Sequence, residues 1–196
     1  MPAVPDLFIL RHGQTEWNAE HRLQGHFDSD LTLKGRQQAA DQGAILRRVL
    51  PHNAIARVSP LPRARATAKI AFSVGGRTIP TTVDERLIEI NLGAWQGHTT
   101  AALKAIGVHI PNNPSAYLWK FNAPGGETMD HMVARCAAVL GSLNGPTILV
   151  THGVTSQVLC SLALGRALSD RDVLPDGQGH VHHIKDGQIT VLPPQS

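Results

Sequence analysis

Leu7-Phe8-Ile9-Leu10-Arg11-His12-Gly13-Gln14-Thr15-Glu16-Trp17-Asn18 is the stretch around which this 196-residue chain is organised. A short apolar run stops abruptly at Arg-His-Gly, and a polar segment with one tryptophan follows. Apolar runs of this length bounded by glycine read as buried strands. In an α/β sheet, a buried parallel strand delivers the residues after its carboxyl end into a crevice where ligands bind. Delivered here are a permanent cation, an imidazole and a glycine beside which another backbone or a ligand can come close. The working reading is that His12 attacks phosphorus and Arg11 holds the phosphoryl group, with metal, acid–base and packing roles for a lone imidazole still open at this point. An anion cradle and a proton donor must then come from elsewhere in the chain.

Length suits one α/β domain with a full core, expected over residues 1–196. Hydrophobic residues at 42% and charged residues at 17% are ordinary for a soluble globular protein. Aromatics make up only 4%, so the core must rely on Leu, Val, Ile and Ala. A net charge of +3 with scattered basic residues lacks the clustered stripe of a nucleic-acid binder. Cys136 and Cys160 fall in apolar patterns far apart and are expected to be free and buried. Neither a signal-peptide pattern nor an apolar window of membrane-spanning length is present, so no membrane contact and a cytoplasmic location are expected.

Beyond the opening strand, residues 21–30 read as a loop across the mouth of a site. Thr32 caps an expected helix over 33–49, with Ala40, Ala44, Ile45 and Val49 on its inner face, and Pro51 ends it. A second strand at 54–58 turns through Ser59-Pro60-Leu61-Pro62 into a helix over 63–72, closed by Gly75-Gly76. A short extended piece at 78–83 precedes an irregular segment at 85–97. Residues 98–127 form a loop-rich insertion with a short helix at 100–106, broken by Pro111, Pro114 and Pro124. A helix over 128–143 carries Met132, Cys136, Leu140 and Leu143 at helical spacing. A β-branched strand at 147–150 ends at Thr151-His152-Gly153, and the next helix turns Val154, Val158, Leu159 and Leu162 inward. Extended runs at 180–185 and 188–192 flank Asp186-Gly187, a hairpin signal. This order predicts an α/β fold: a mostly parallel central sheet, helices on both faces and a C-terminal hairpin.

Two strands thus end alike, at Arg11-His12-Gly13 and at Thr151-His152-Gly153. As parallel neighbours they would bring two imidazoles into one crevice. Arg63, at the start of a helix, adds a second cation, and helix N-termini are expected to contribute N–H groups to the cradle. Glu89 is the candidate acid, with Glu85 the competing choice. Arg65 is the alternative to Arg63.

Arg11-His12-Gly13 with Thr15 and Trp17-Asn18, then Ser59-x-Leu61-x-Arg63-Ala64-x-x-Thr67-Ala68, then Leu87-x-Glu89-x-x-x-Gly93-x-Trp95-x-Gly97, and finally Thr151-His152-Gly153 appear in that order. Over residues 7 to about 165 the chain resembles the histidine phosphatase superfamily, in its phosphoglycerate mutase-like branch. The resemblance implies a phosphohistidine on His12. It implies that Arg11, Arg63 and His152 bind the transferring group and that Glu89 is the general acid and then base. Asn18 aligns with a phosphate-contacting asparagine, and Thr15, Gln24, Gly25 and Gly153 with positions lining the substrate pocket. It implies no cofactor and no metal.

Mutases of the family hold a second acidic group of the substrate with basic residues after the glutamate motif. Here only Lys104 and Lys120 remain for that role, which favours a metal-independent phosphatase over a mutase. Pro124-Gly125-Gly126-Glu127-Thr128 with Arg135 also resembles small phosphatases of the family. Protein-phosphatase activity stays open. The expected partner is a small phosphorylated metabolite rather than nucleic acid, with a homodimer open. Departures from the family pattern are Asp30, where relatives often have proline, and Val154-Thr155 in place of a glycine after Gly153. Tyr117, Trp119 and Phe121 read equally as a lid or as packing. On an extended strand His180 and His182 share a face while His183 points away, so the three are not expected to converge as metal ligands.

Overall fold

A computed structural model describes residues 5–112, 117–168 and 177–194. Part of the insertion, including Pro114, and both chain ends therefore lie outside the described residues. In chain order, β1 (Leu7–Arg11) is followed by α1 (Glu16–Ala19), α2 (Leu33–Val49), β2 (Ile55–Val58), α3 (Pro62–Gly75) and β3 (Thr81–Val83). Next come α4 (Thr100–Ala105), α5 (Met129–Leu140), β4 (Thr147–Thr151), α6 (Gly153–Ala163), β5 (Val181–Lys185) and β6 (Gln188–Leu192). Single 3-10 turns at Glu85–Leu87, Gly93–Trp95 and Leu118–Asn122 punctuate the two loop-rich segments.

The strands form one sheet in the order β3-β2-β4-β1-β5-β6. The first four run parallel, and β5 and β6 pair antiparallel at the other end. The sheet is therefore mostly parallel, as expected. Asp186 and Gly187 join the hairpin with φ of 49° and 72°, the left-handed pair that a two-residue hairpin turn requires.

Alternation along the central strands divides two cores. Leu7, Ile9 and Leu149 pack with α5, α6 and the insertion on one face. Phe8, Leu10, Ile148 and Val150 pack with α2 and α3 on the other. Leu7, Phe8, Ile9 and Leu10 are all at most 1% exposed, and each such side chain contributes about 1.5–3 kcal/mol of burial free energy. That makes β1 a stiff mount for Arg11 and His12 at its carboxyl end. Both cysteines are free and buried, and burial pushes the Cys136 thiol up to about 12.

Helix α2 has the expected bounds but a different inner face. Thr32 caps it by accepting from the Gly35 N–H at 3.0 Å. Its buried positions are Gly35, Ala39, Gln42, Gly43, Ile45 and Leu46, whereas Ala40 and Ala44 are half-buried and Val49 is exposed. Backbone proximity explains the rotation: a Cβ at Gly43 would lie 2.2 Å from the Ala71 carbonyl oxygen of α3. Small residues make that seam, so a pattern of apolar side chains misplaces it. No described helix is long and apolar enough to cross a membrane.

Candidate active site

β1 and β4 lie side by side, with Leu10 opposite Val150 and Arg11 opposite Thr151. The His12 N–H donates to the Thr151 carbonyl at 3.0 Å. The His12 and His152 rings consequently meet with centroids 5.2 Å apart. A Cβ on Gly13 would lie 2.1 Å from the Gly35 carbonyl oxygen, so the close approach this glycine permits is that of α2.

His12 is 2% exposed, and its Nδ1 donates to the Gly13 carbonyl at 2.8 Å. A carbonyl can only accept, so the proton of the neutral ring sits on Nδ1 and the lone pair on Nε2. Arg63 Nε donates toward that lone pair at 3.3 Å. Burial, followed by the Arg63 and Arg11 cations, holds His12 well below its ordinary value of 6.5 despite the Gly13 contact. His152 is fully buried behind it, with Nε2 2.6 Å from Ser59 Oγ. Its Nδ1 has no hydrogen-bond partner among the described residues. Burial, then Arg63 and His12, likewise hold His152 well below 6.5.

These shifts have a signed consequence. As pH falls through about 6.5 the unfolded chain takes up protons that these buried rings refuse. Stability is therefore unaffected by them above that range and declines below it, by up to about 1.4 kcal/mol per pH unit for each ring. Melting curves between pH 7 and 5 should show the decline, and His152→Asn should flatten it.

Arg63 is 2% exposed at the start of α3, where Pro62 occupies the first helical position. Its Nη1 donates to the Phe27 carbonyl at 2.8 Å and Asp28 Oδ1 at 2.9 Å, and its Nη2 to the Gly25 carbonyl at 2.8 Å. Arg65, the sequence alternative, is exposed. The guanidinium thus fastens the 24–28 loop across the site while aiming Nε at His12.

Glu89, not Glu85, reaches the same place. Its Oε1 accepts from the Ile90 N–H at 3.0 Å and from the Thr155 N–H and Oγ1, each at 3.1 Å. Its Oε2 accepts from the Val154 N–H at 3.2 Å. Burial pushes this carboxyl up, but Lys120, the Ile90 N–H, Arg63 and the Val154 N–H outweigh it and leave the group below its ordinary range. The expectation that helix N-termini cradle the phosphoryl group is corrected here. The N-terminus of α6 is occupied by the Glu89 carboxylate, and at α3 the Arg63 N–H faces Asp28 Oδ1 at 3.4 Å. A helix start attracts the nearest anion, and in both cases the chain supplies its own.

The model of the histidine phosphatase superfamily (branch 1) matches residues 7–188. The chain belongs to this superfamily. It is 34% identical over 164 residues to a probable phosphoglycerate mutase GpmB of Salmonella paratyphi C (strain RKS4594), covering 81% of this chain and 74% of that protein. A mycobacterial glucosyl-3-phosphoglycerate phosphatase in complex with VO3 superposes with a TM-score of 0.74 at 28% identity, over 97% of this chain and 100% of that one. The product of open reading frame Rv3214 from Mycobacterium tuberculosis superposes with a TM-score of 0.74 at 26% identity, over 97% and 98% of the two chains. The family places the protein among the phosphoric monoester hydrolases.

In this histidine phosphatase four of the five expected catalytic residues border a cavity of about 250 Å³, and the fifth, His152, is fully buried and does not line it. Arg11, His12, Arg63 and Glu89 form its floor, and Asn18, Gln24, Gly25 and Gly153 also line it. Gly153 has a packing reason: a Cβ there would lie 3.3 Å from Arg11 Cζ. Thr15 does not line the cavity. It is fully buried behind the wall, where its Oγ1 accepts from Gln24 Nε2 at 2.7 Å and from the Asn18 N–H at 3.2 Å. Its role is to cap α1. Val154-Thr155, the departure after Gly153, supplies two of the three backbone N–H groups that hold Glu89.

The outer wall adds Arg22, Tyr117, Lys120 and Gln157. Arg22 and Gln157 are not singled out by sequence reading, although Gln157 lies one helical turn after Gly153. Arg22 also bonds Glu20 at 2.9 Å and the Gly97 carbonyl at 2.6 Å. Lys104 is exposed on α4 and does not line the cavity, which leaves Lys120 of the two lysines. The aromatic trio divides: Tyr117 is wall, Trp119 packs on Trp95 at 5.5 Å, and Phe121 joins the core. Glu127 and Arg135 form a two-bond ion pair, at 2.7 and 3.0 Å, and Arg135 also donates to the Arg86 carbonyl at 2.7 Å. With the Glu127 N–H on the Asn91 carbonyl at 2.8 Å, this pair fastens both ends of the Glu89 segment.

The histidines near the C-terminus stay apart. His183 stacks on Phe8 at 4.4 Å, and His182 is buried with Nδ1 3.9 Å from Cys160 Sγ. Among the described residues no three His, Cys, Asp or Glu side chains gather where they could hold a metal ion.

Proposed function

We propose that this protein hydrolyses the phosphate monoester of a small, acid-bearing metabolite, without a metal, through a phosphohistidine on His12. The observation that carries the reading is the His12 ring. Its proton is fixed on Nδ1, its Nε2 lone pair faces Arg63, and it stays neutral at physiological pH.

In the first step Nε2 attacks phosphorus and the P–O bond to the leaving group breaks. Arg63 Nε moves its N–H from Nε2 to a phosphoryl oxygen, and the fixed Arg63 and Arg11 cations stabilise the charge that spreads over the transferring group, with the neutral His152 ring beside His12. The leaving oxygen takes a proton from Glu89. The free carboxyl lies below its usual range, but a phosphate dianion placed against it raises its proton affinity, as any like charge does. Water then attacks the phosphohistidine, gives its proton to Glu89 and releases inorganic phosphate and neutral His12. Protons balance across the two half-reactions.

Lys120 and Arg22 on the outer wall favour a leaving group with a negative charge of its own. Arg22 also bonds Glu20, and Lys120 lies over the Trp119 ring with its ammonium 6.0 Å from the centroid, so both cations are held at this wall. Hydrolysis is favoured over mutase transfer because, of the two lysines that follow the glutamate motif, only Lys120 lines the described wall and Lys104 is exposed on α4. A panel of phosphate monoesters, assayed with and without chelator, tests the proposal: activity should survive chelation, and loss on chelation would contradict it. Lys120→Ala should change the ratio of KM values between 3-phosphoglycerate and p-nitrophenyl phosphate by roughly tenfold, against the acid-bearing ester. Phosphate transfer between 3-phosphoglycerate and its bisphosphate primer faster than hydrolysis would establish the mutase reading instead.

A further inference from the structure

Gln178 lies far from the four motifs in sequence, yet its side chain meets Asn18, which lines the cavity. Its backbone bridges to Arg11, one residue before His12. The segment is fastened there by Gln42, whose Nε2 donates to the carbonyls of Arg11 at 3.0 Å, His180 at 2.9 Å and Gly177 at 3.3 Å. Gln178 Nε2 donates to Asn18 Oδ1 at 3.0 Å.

Asn18 has a second bond that decides which way its amide faces. Oδ1 also accepts from the Thr15 backbone N–H at 3.3 Å, as part of the cap on α1. A backbone N–H can only donate, so the atom facing it is the oxygen. Two donors fill both lone pairs of Oδ1. What Asn18 has left to offer the cavity that it lines is its Nδ2 amino group, a donor suited to a phosphoryl oxygen.

We infer that Gln178 is a positioning residue for phosphoryl binding: it locks the Asn18 amide with oxygen outward and amino group toward the cavity. The inference rests on the phosphatase reading. Through it, the stretch leading into the C-terminal hairpin takes part in anion recognition by the N-terminal motif. With Gln178 absent, the Thr15 N–H holds Oδ1 singly, and the amide can turn its oxygen on the bound anion for part of the time. A carboxylate at 178 does more. It demands a donor from Asn18 and so selects the turned orientation.

The test is competitive inhibition by inorganic phosphate, with p-nitrophenyl phosphate as substrate, on wild type, Gln178→Ala, Gln178→Met, Gln178→Glu, Asn18→Ala and the Asn18→Ala/Gln178→Ala double variant. Gln178→Ala and Gln178→Met should each raise the phosphate inhibition constant and KM by about fivefold to tenfold, with kcat falling less. Gln178→Glu should raise them by about a hundredfold. The double variant should match Asn18→Ala alone, because the two side chains act as one unit. Additive losses in the double variant, or a phosphate inhibition constant in Gln178→Ala equal to that of wild type, would overturn the inference and leave the phosphatase reading standing. Wild-type protein that neither hydrolyses p-nitrophenyl phosphate nor binds inorganic phosphate would overturn both.

Discussion

His12→Ala is expected to lower the turnover of phosphate monoesters by about four orders of magnitude or more. The size reflects the group that is removed. An imidazole that forms a covalent intermediate replaces one difficult displacement by two easier ones, and its loss returns the reaction to direct attack by water. Arg11, Arg63 and His152 remain in the variant, so on the proposed mechanism substrate binding should survive where turnover does not. The expected signature is a collapse of kcat with a much smaller change in the inhibition constant for inorganic phosphate. Weakened phosphate binding with kcat intact would assign His12 to binding. Melting temperature controls for folding, since the ring is buried and its Nδ1 bonds the Gly13 carbonyl.

Glu89→Gln is expected to have the next largest effect, a loss of about 10²–10⁴ in kcat for an alkyl phosphate. The amide can neither give nor take the proton that each half-reaction moves. It also sets an NH2 group against one of the backbone donors at the start of α6, which now meet carboxylate oxygens. The two effects separate by leaving group. A phenolate that departs readily needs little protonation, so the loss should shrink to about tenfold or less for phosphorylation from p-nitrophenyl phosphate. A purely structural defect would slow both esters alike. The sign in pH is also set: a required acid is lost as pH rises, so kcat for the alkyl ester should fall on the alkaline side in wild type and lose that limb in the variant.

The parts that were legible in the sequence are those written as local pattern. The apolar runs before Arg11-His12-Gly13 and Thr151-His152-Gly153 mark strands buried on both faces. Two such strands with the same ending place their histidines together once the sheet forms. Thr32, Pro62 and Gly76 mark helix ends because caps are short-range chemistry. Residues whose partners come from distant segments were not legible. Asp28 is one acid in a polar loop until α3 brings Arg63 against it, 35 residues on. Gln42 and Gln178 look like surface amides until they meet Arg11 and Asn18. A helix start is readable, but the carboxylate that folds onto it is not, which is why Glu89 and Asp28 occupy sites expected to face a ligand. The inner face of α2 escaped for a related reason, since glycine contacts carry no hydrophobic period.

Every role assigned to Arg11, Arg63, His152 and Glu89 presupposes that the phosphoryl group rests on His12 between the two half-reactions. Rapid acid-free quenching of enzyme mixed with a phosphorus-labelled monoester, with peptide mapping of the quenched protein, measures this directly. The expected label is stable in base, labile in acid, confined to the peptide carrying His12 and absent from His12→Ala. A label on any other residue, or rapid turnover with no label on the protein at any quench time and no label in single-turnover conditions, would contradict it.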